Sequence, residues 1–142
     1  MIKNLKESIG WLEKINSNNP NRYIDGIDRM EYNIEEGCTS IEAYEKILEE
    51  VKKYNPKRVI DIGSNLNLFG FLFENEGIEY IGIDKYKEAE PIQTEKIKFI
   101  HSDYYDVKYK FENDICISCL CVGYLIPRKD IKCKKLITNE DV

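Results

Sequence analysis

Val59-Ile60-Asp61-Ile62-Gly63-Ser64-Asn65-Leu66-Asn67-Leu68-Phe69-Gly70 is an apolar run that meets an acid, breaks at a glycine and restarts as an amphipathic helix. A second apolar run, Tyr80-Ile81-Gly82-Ile83, ends in another acid, Asp84. Strand, tight turn, helix and second strand in that order form the unit from which open parallel sheets are built. Such sheets bind ligands at the carboxyl ends of their strands. Both carboxylates and the turn are therefore expected to converge there.

The chain ahead of this unit reads as helical. Ile2, Leu5, Ile9, Leu12 and Ile15 recur at helical spacing, and Tyr23, Ile27, Met30 and Ile34 make a second face stopped by Gly37. Asn16 to Asn21, with Pro20, is a turn by composition. Thr39-Ser40-Ile41-Glu42 is a capping box. It opens a third helix that carries Ile41, Tyr44, Leu48 and Val51 on one side and ends at Tyr54-Asn55-Pro56. Residues 1–56 are thus expected to form a helical leader or lid, and residues 57–142 the core of one domain.

Within that core the spacing predicts strands at 58–62, 79–83, 97–100, 114–118 and 135–138, and a helix over 66–76 ended by Gly77. Strands alternating with helices or crossovers imply an α/β fold. The expectation is a Rossmann-like, doubly wound, mostly parallel sheet of about five strands in the order 3-2-1-4-5. The link before the last strand, about sixteen residues, lies near the lower limit for a parallel crossover.

With 142 residues the chain suits one domain with a real core. Its net charge of −5 argues against non-specific nucleic-acid binding, which needs a basic face. Arg128, Lys129, Lys132, Lys134 and Lys135 are a local exception, read first as a solvated face and second as an anion- or RNA-facing patch. No apolar run approaches the ~18 residues of a membrane span, and no secretory or lipidation signal is legible. A cytoplasmic location without membrane contact is the expectation. In that compartment the five cysteines are not expected to form structural disulfides.

Val59 to Gly70, Tyr80 to Asp84, Phe99 to Asp103 and Asp114 to Leu120 resemble the successive ligand motifs of class I S-adenosylmethionine-dependent methyltransferases. The resemblance covers about residues 57–125. Asp61-x-Gly63-x-Asn65-x-Asn67 is similar to that family's acidic-x-Gly-x-Gly-x-Gly loop with only the first glycine kept. The resemblance implies S-adenosylmethionine as cofactor. Asp61 and Gly63 would shape the methionine end, with Ser64 and Asn65 of the same loop also binding the cofactor; Asp84 would hold the ribose hydroxyls and Asp103, with Tyr104 beside it, the adenine. Ser118 would stand at the strand end bordering the methyl-donor sulfur.

Elementary chemistry points the same way. Gly63 supplies a residue without Cβ where backbone passes close to a ligand. Carboxylates, as acceptors only, suit a ligand bearing an amine and a diol. An acid just before the glycine, and the missing second and third glycines, argue against a pyrophosphate. Asn65 is the least disruptive replacement, because Asn tolerates left-handed backbone angles. The competing reading is a degenerate sheet in which Gly63 is only a tight turn and Asp84 a solvated strand end.

Two departures from the family bear on function. Ser118-Cys119-Leu120-Cys121 stands where enzymes acting on nucleobase amines carry Asn/Asp-Pro-Pro-aromatic, which disfavours that acceptor class. The family core usually runs to a seventh strand, and this chain stops near the fifth. Either a dimer mate or another partner completes the sheet edge, or the protein is a reduced relative that acts as a non-catalytic interaction module.

The remaining candidates carry two readings each. Cys116-x-x-Cys119-x-Cys121, with Cys133, could ligate a metal through thiolates, but alternating faces along a strand scatter such ligands, so small buried hydrophobes are preferred and no metal is expected. His101, the single histidine, is a general base or a polar strand end. Tyr104 and Tyr105 are base-packing or core aromatics. Trp11 marks the leader's edge or a contact surface, and Arg22 and Tyr23 could meet a ligand carboxylate. No catalytic base stands out, and the methyl acceptor is not readable.

Overall fold

The computed structural model describes Asn4, Lys6, Glu7 and residues 41–142 apart from Tyr86, Glu88, Ala89, Leu120 and Tyr124, with backbone only at Ile41 and Glu42. The first two expected helices, Trp11, Arg22, Tyr23 and the Thr39 cap lie outside the described residues. Helix α1 spans Ile41–Lys52 and buries Ala43, Tyr44, Ile47, Leu48 and Val51. That stripe has the period of one helix face.

Five strands follow: β1 Arg58–Ile62, β2 Glu79–Asp84, β3 Ile97–His101, β4 Ile115–Ser118 and β5 Lys135–Thr138. They pair in parallel in the order β3-β2-β1-β4-β5, the α/β arrangement expected. Between β1 and β2 runs a short helix α2, Gly70–Glu74, and between β3 and β4 a shorter α3, Tyr104–Val107, continued by a 3-10 turn at Lys108–Phe111. A second 3-10 turn, Arg128–Asp130, is the one helical piece described between β4 and β5.

The expected helix over 66–76 is corrected to Gly70–Glu74. Positive φ at Asn65 (55°) and Asn67 (60°) keeps the preceding residues in turns, because a left-handed residue cannot continue a right-handed helix.

Alternation along the strands sorts their side chains onto two faces, both covered, which is why the strands read as nearly continuous apolar runs. One face presents Val59, Tyr80, Ile97, Ile115, Ile117 and Ile137, packed with α1 and α2 in a single cluster. The other presents Ile60, Ile62, Ile81, Ile83 and Cys116, covered by Tyr104, Val107 and Phe111 and by Val122, Ile126 and Ile131 of the β4–β5 connection. Each fully buried aliphatic side chain contributes about 2 kcal/mol of transfer free energy. A bidentate ion pair joins the starts of β1 and β4: Arg58 Nε and Nη2 donate to the two oxygens of Asp114 at 2.7 and 2.8 Å.

A parallel β4–β5 link without an α-helix is feasible because its loop is tied down. The Ser118 hydroxyl accepts the N–H groups of Cys121 (3.3 Å) and Val122 (2.9 Å), and Gly123 turns the chain at φ 93°. Tyr104 accepts the Lys132 N–H at 2.9 Å. No helix among the described residues is long and apolar enough to cross a membrane.

Candidate functional site

The turn after β1 is built from three left-handed residues at alternate positions: Gly63 (φ 78°), Asn65 and Asn67. Asparagine occupies two of the three places because it bears this conformation better than other side-chain-bearing residues. The turn is also fastened. The Gly63 and Ser64 N–H groups both donate to the Ile83 carbonyl (2.8 and 3.2 Å), and the Asn65 N–H donates to Asp84 Oδ2 at 2.8 Å. Asn67 Nδ2 donates to the carbonyls of Ile92 and Lys98, pinning the turn to the β2–β3 connection and to β3. The left-handed angle at Asn67 is a feature that sequence reading left unassigned; its two-residue spacing from Gly63 and Asn65 is the signal that could have found it.

Asp84 therefore stands where expected, at the carboxyl end of β2 beside the turn, half-buried. Asp61 does not share that setting. Its side chain has no exposed surface and lies on the face under α1, where the hydroxyls of Tyr44 (3.0 Å) and Tyr80 donate to Oδ2. Strand alternation is the reason: Asp61 pairs with Gly82 inside the ladder, so its side chain belongs to the same face as Val59 and Tyr80. The expectation that both acids open onto one ligand edge is corrected to one sealed acid and one at the rim.

Burial pushes the Asp61 carboxyl up to about 7, against the opposing effect of the two tyrosine hydrogen bonds, and the nearby charge of Asp84 adds to the rise. Burial first, then the facing Asp61 charge, drive the Tyr44 and Tyr80 hydroxyls upward, so both stay protonated donors. Asp61 Oδ1, Ser64 Oγ and Asn67 Oδ1 are buried with no hydrogen-bond partner among the described residues. Ser64 and Asn67 lean over Gly82, the residue paired with Asp61; a Cβ at Gly82 would overlap Ser64 Oγ and Asn67 Oδ1. A proton on Asp61 converts one of these acceptors into a donor, which an oxygen-rich pocket in the core favours.

The other expected site residues are distributed as follows. Asp103, partly exposed, caps α3 by accepting the Tyr105 N–H at 3.0 Å. Tyr104 is buried in the second cluster, with its hydroxyl used by Lys132. Ser118 is fully buried and holds the turn after β4. Ser64 is buried over Gly82, and Asn65 remains partly exposed. Close approach to Gly63 is made by the chain itself: a Cβ there would come within 2.8 Å of Cys121 Sγ.

His101 is exposed, and its Nε2 donates to the Lys85 carbonyl at 3.0 Å. Tyr105 donates to Asp130 Oδ2 at 2.6 Å, and that bond holds its hydroxyl up at about 12. The described cysteines divide between the faces, Cys119 in the first cluster and Cys116, Cys121 and Cys133 about the second. Among the described residues no three His, Cys, Asp or Glu side chains gather as metal ligands.

Asp84, Asn65 and Gly63 thus meet at the carboxyl ends of β1 and β2, with Asp103 beyond the end of β3. Compared with protein-family models, with curated proteins and with solved structures, the chain matches none of them.

Proposed function

We propose that this protein binds S-adenosylmethionine at the carboxyl ends of β1 and β2 and acts as a small methyltransferase-like protein. The observation that carries the reading is the turn itself: left-handed angles at Gly63, Asn65 and Asn67, with Asp84 gripping the Asn65 N–H. This backbone permits close approach of a ligand without the three glycines of the family motif. A half-buried carboxylate at the end of β2 suits a diol, whose hydroxyls donate to it. Asp103, at the start of α3, offers acceptors for an exocyclic amine. Asp61 acts from beneath, as a support for the turn and not as a ligand contact.

Methyl transfer from such a cofactor is a direct displacement that depends on alignment and exclusion of water. The acceptor is unassigned. The second reading is a non-catalytic interaction module that works with a partner or as a dimer. It is favoured by Cys121, which occupies the close approach at Gly63, and by Tyr104 and Ser118, whose hydroxyls serve internal bonds.

Calorimetric titration with S-adenosylmethionine and S-adenosylhomocysteine tests the choice. Asp84→Asn keeps an acceptor for the Asn65 N–H while removing the charge. Saturable micromolar binding, weakened at least about tenfold in Asp84→Asn, supports the cofactor reading. Absence of heat at millimolar ligand, with the protein folded by circular dichroism, overturns it and leaves the interaction module.

A further inference from the structure

Cys116 and Cys133 are brought together by the sheet. Cys116 sits in β4 on the second face with no exposed surface, and Cys133, partly exposed, packs against the same cluster just ahead of β5. β4 and β5 pair with Cys116 opposite Leu136, and the Lys134 N–H donates to the Asp114 carbonyl at 2.9 Å. The segment bearing Cys133 is thereby held against β4. The Cys116 and Cys133 thiols lie within interaction reach of each other, with the backbone N–H groups of Cys116 and Lys135 beside the Cys133 sulfur.

Three such groups about one sulfur favour its thiolate. The Cys116 thiol, then the two N–H groups, bring Cys133 below the ordinary thiol range despite its burial. The same interaction, with burial, keeps the proton on Cys116. A partly exposed sulfur with thiolate character beside a buried thiol is the arrangement of an attacking and a resolving cysteine. Neither is in a disulfide in this structure.

We infer that Cys116 and Cys133 form a redox-active dithiol that reacts with small-molecule disulfides of the glutathione type. Cys133 sulfur attacks one sulfur of the disulfide; that S–S bond breaks, a mixed disulfide forms on Cys133, and one thiolate leaves and is protonated. With Cys133 capped, the negative charge that held the Cys116 proton is gone. Cys116 then loses its proton and attacks the Cys133 sulfur, and the second small thiol departs with that proton. The two cysteines are oxidised by two electrons, and one disulfide is reduced to two thiols. The resulting bond encloses residues 117–132, including the Cys121 loop over Gly63. The inference is independent of what binds at that turn.

The test exposes the full chain to oxidised glutathione and maps products by peptide mass spectrometry, with circular dichroism as the folding control. The wild type is expected to lose two hydrogens and to yield a linked Cys116–Cys133 peptide pair. Cys116→Ala is expected to accumulate glutathione on Cys133, and Cys133→Ser to leave Cys116 unmodified. Cys121→Ser is expected to form the link at the wild-type rate. In the wild type, Cys133 should react at least about tenfold faster than Cys121, as thiolate character dictates. A folded wild type that does not react, that keeps a stable glutathione adduct on Cys133, or that links a different pair overturns the proposal. Should Cys116→Ala fail to fold, the wild-type peptide map and Cys133→Ser decide alone.

Discussion

Asp61 and Asp84 leave adjacent strands close enough for each to feel the other's charge, yet they occupy different media. Asp61 is sealed beneath α1 between two tyrosine hydroxyls; Asp84 is half-buried at the rim and accepts the Asn65 N–H of the turn. The difference comes from position within the ladder. Asp61 has a strand partner, Gly82, and inherits the face of its neighbours, whereas Asp84 ends its strand and meets the loop. Two acids of identical chemistry thus become a buried proton holder and a rim acceptor.

The largest test of that contrast is pH. A carboxyl whose folded pKa lies at about 7, above its unfolded value of 3.8, binds its proton more tightly in the native state. Its contribution to stability is full below the unfolded value and is lost as pH rises through about 7. The stability of wild type relative to Asp61→Asn should fall by about 3 kcal/mol between about pH 4.5 and about pH 8.5, read from urea midpoints. Asp84→Asn should not reproduce that slope; an equal slope in both variants would erase the distinction.

Next in size is Gly82→Ala. Its Cβ would drive Ser64 and Asn67 off the strand, so a loss of about 2 kcal/mol in chemical denaturation is expected. The two asparagines of the turn separate conformation from bonding. Asn67→Gly forfeits two side-chain hydrogen bonds to carbonyls and should cost about 2 kcal/mol. Asn65→Gly relieves a left-handed side-chain-bearing residue and should be neutral or stabilising by up to about 1 kcal/mol. Smallest is Asp84→Asn, about 0.5 kcal/mol, since the Asn65 N–H retains an acceptor. A larger loss there would move Asp84 into the structural class with Asp61.

The fold was legible because its strands announce themselves: Val59 to Ile62, Tyr80 to Ile83 and Ile115 to Ser118 are short apolar runs bounded by polar turns, and both faces are buried as such runs require. The turn at Gly63 was legible for the same local reason, and Asp84 with it. What local pattern does not encode is which side chain a distant residue will meet. Tyr44 reaches Asp61 from α1, Cys121 reaches Gly63 from beyond β4, and Lys132 engages Tyr104, all through tertiary packing. The start of the expected helix at 66–76 differs because propensity alone does not reveal the left-handed Asn67.

The ion pair between Arg58 and Asp114 also bears on how the chain reaches this shape. Its partners lie far apart in sequence, one on the central strand and the other just ahead of the strand that completes its second side. Contacts that close long loops form late, because their entropic cost falls due before any neighbouring contact offsets it. The β1–β2–β3 half, joined by shorter links, can assemble first, leaving one edge of β1 open until β4 arrives. During synthesis that edge is already outside the ribosome while its partner strand is still being made. The interval before Arg58 finds Asp114 is therefore when this protein is most exposed to pairing with the wrong strand, its own or another chain's.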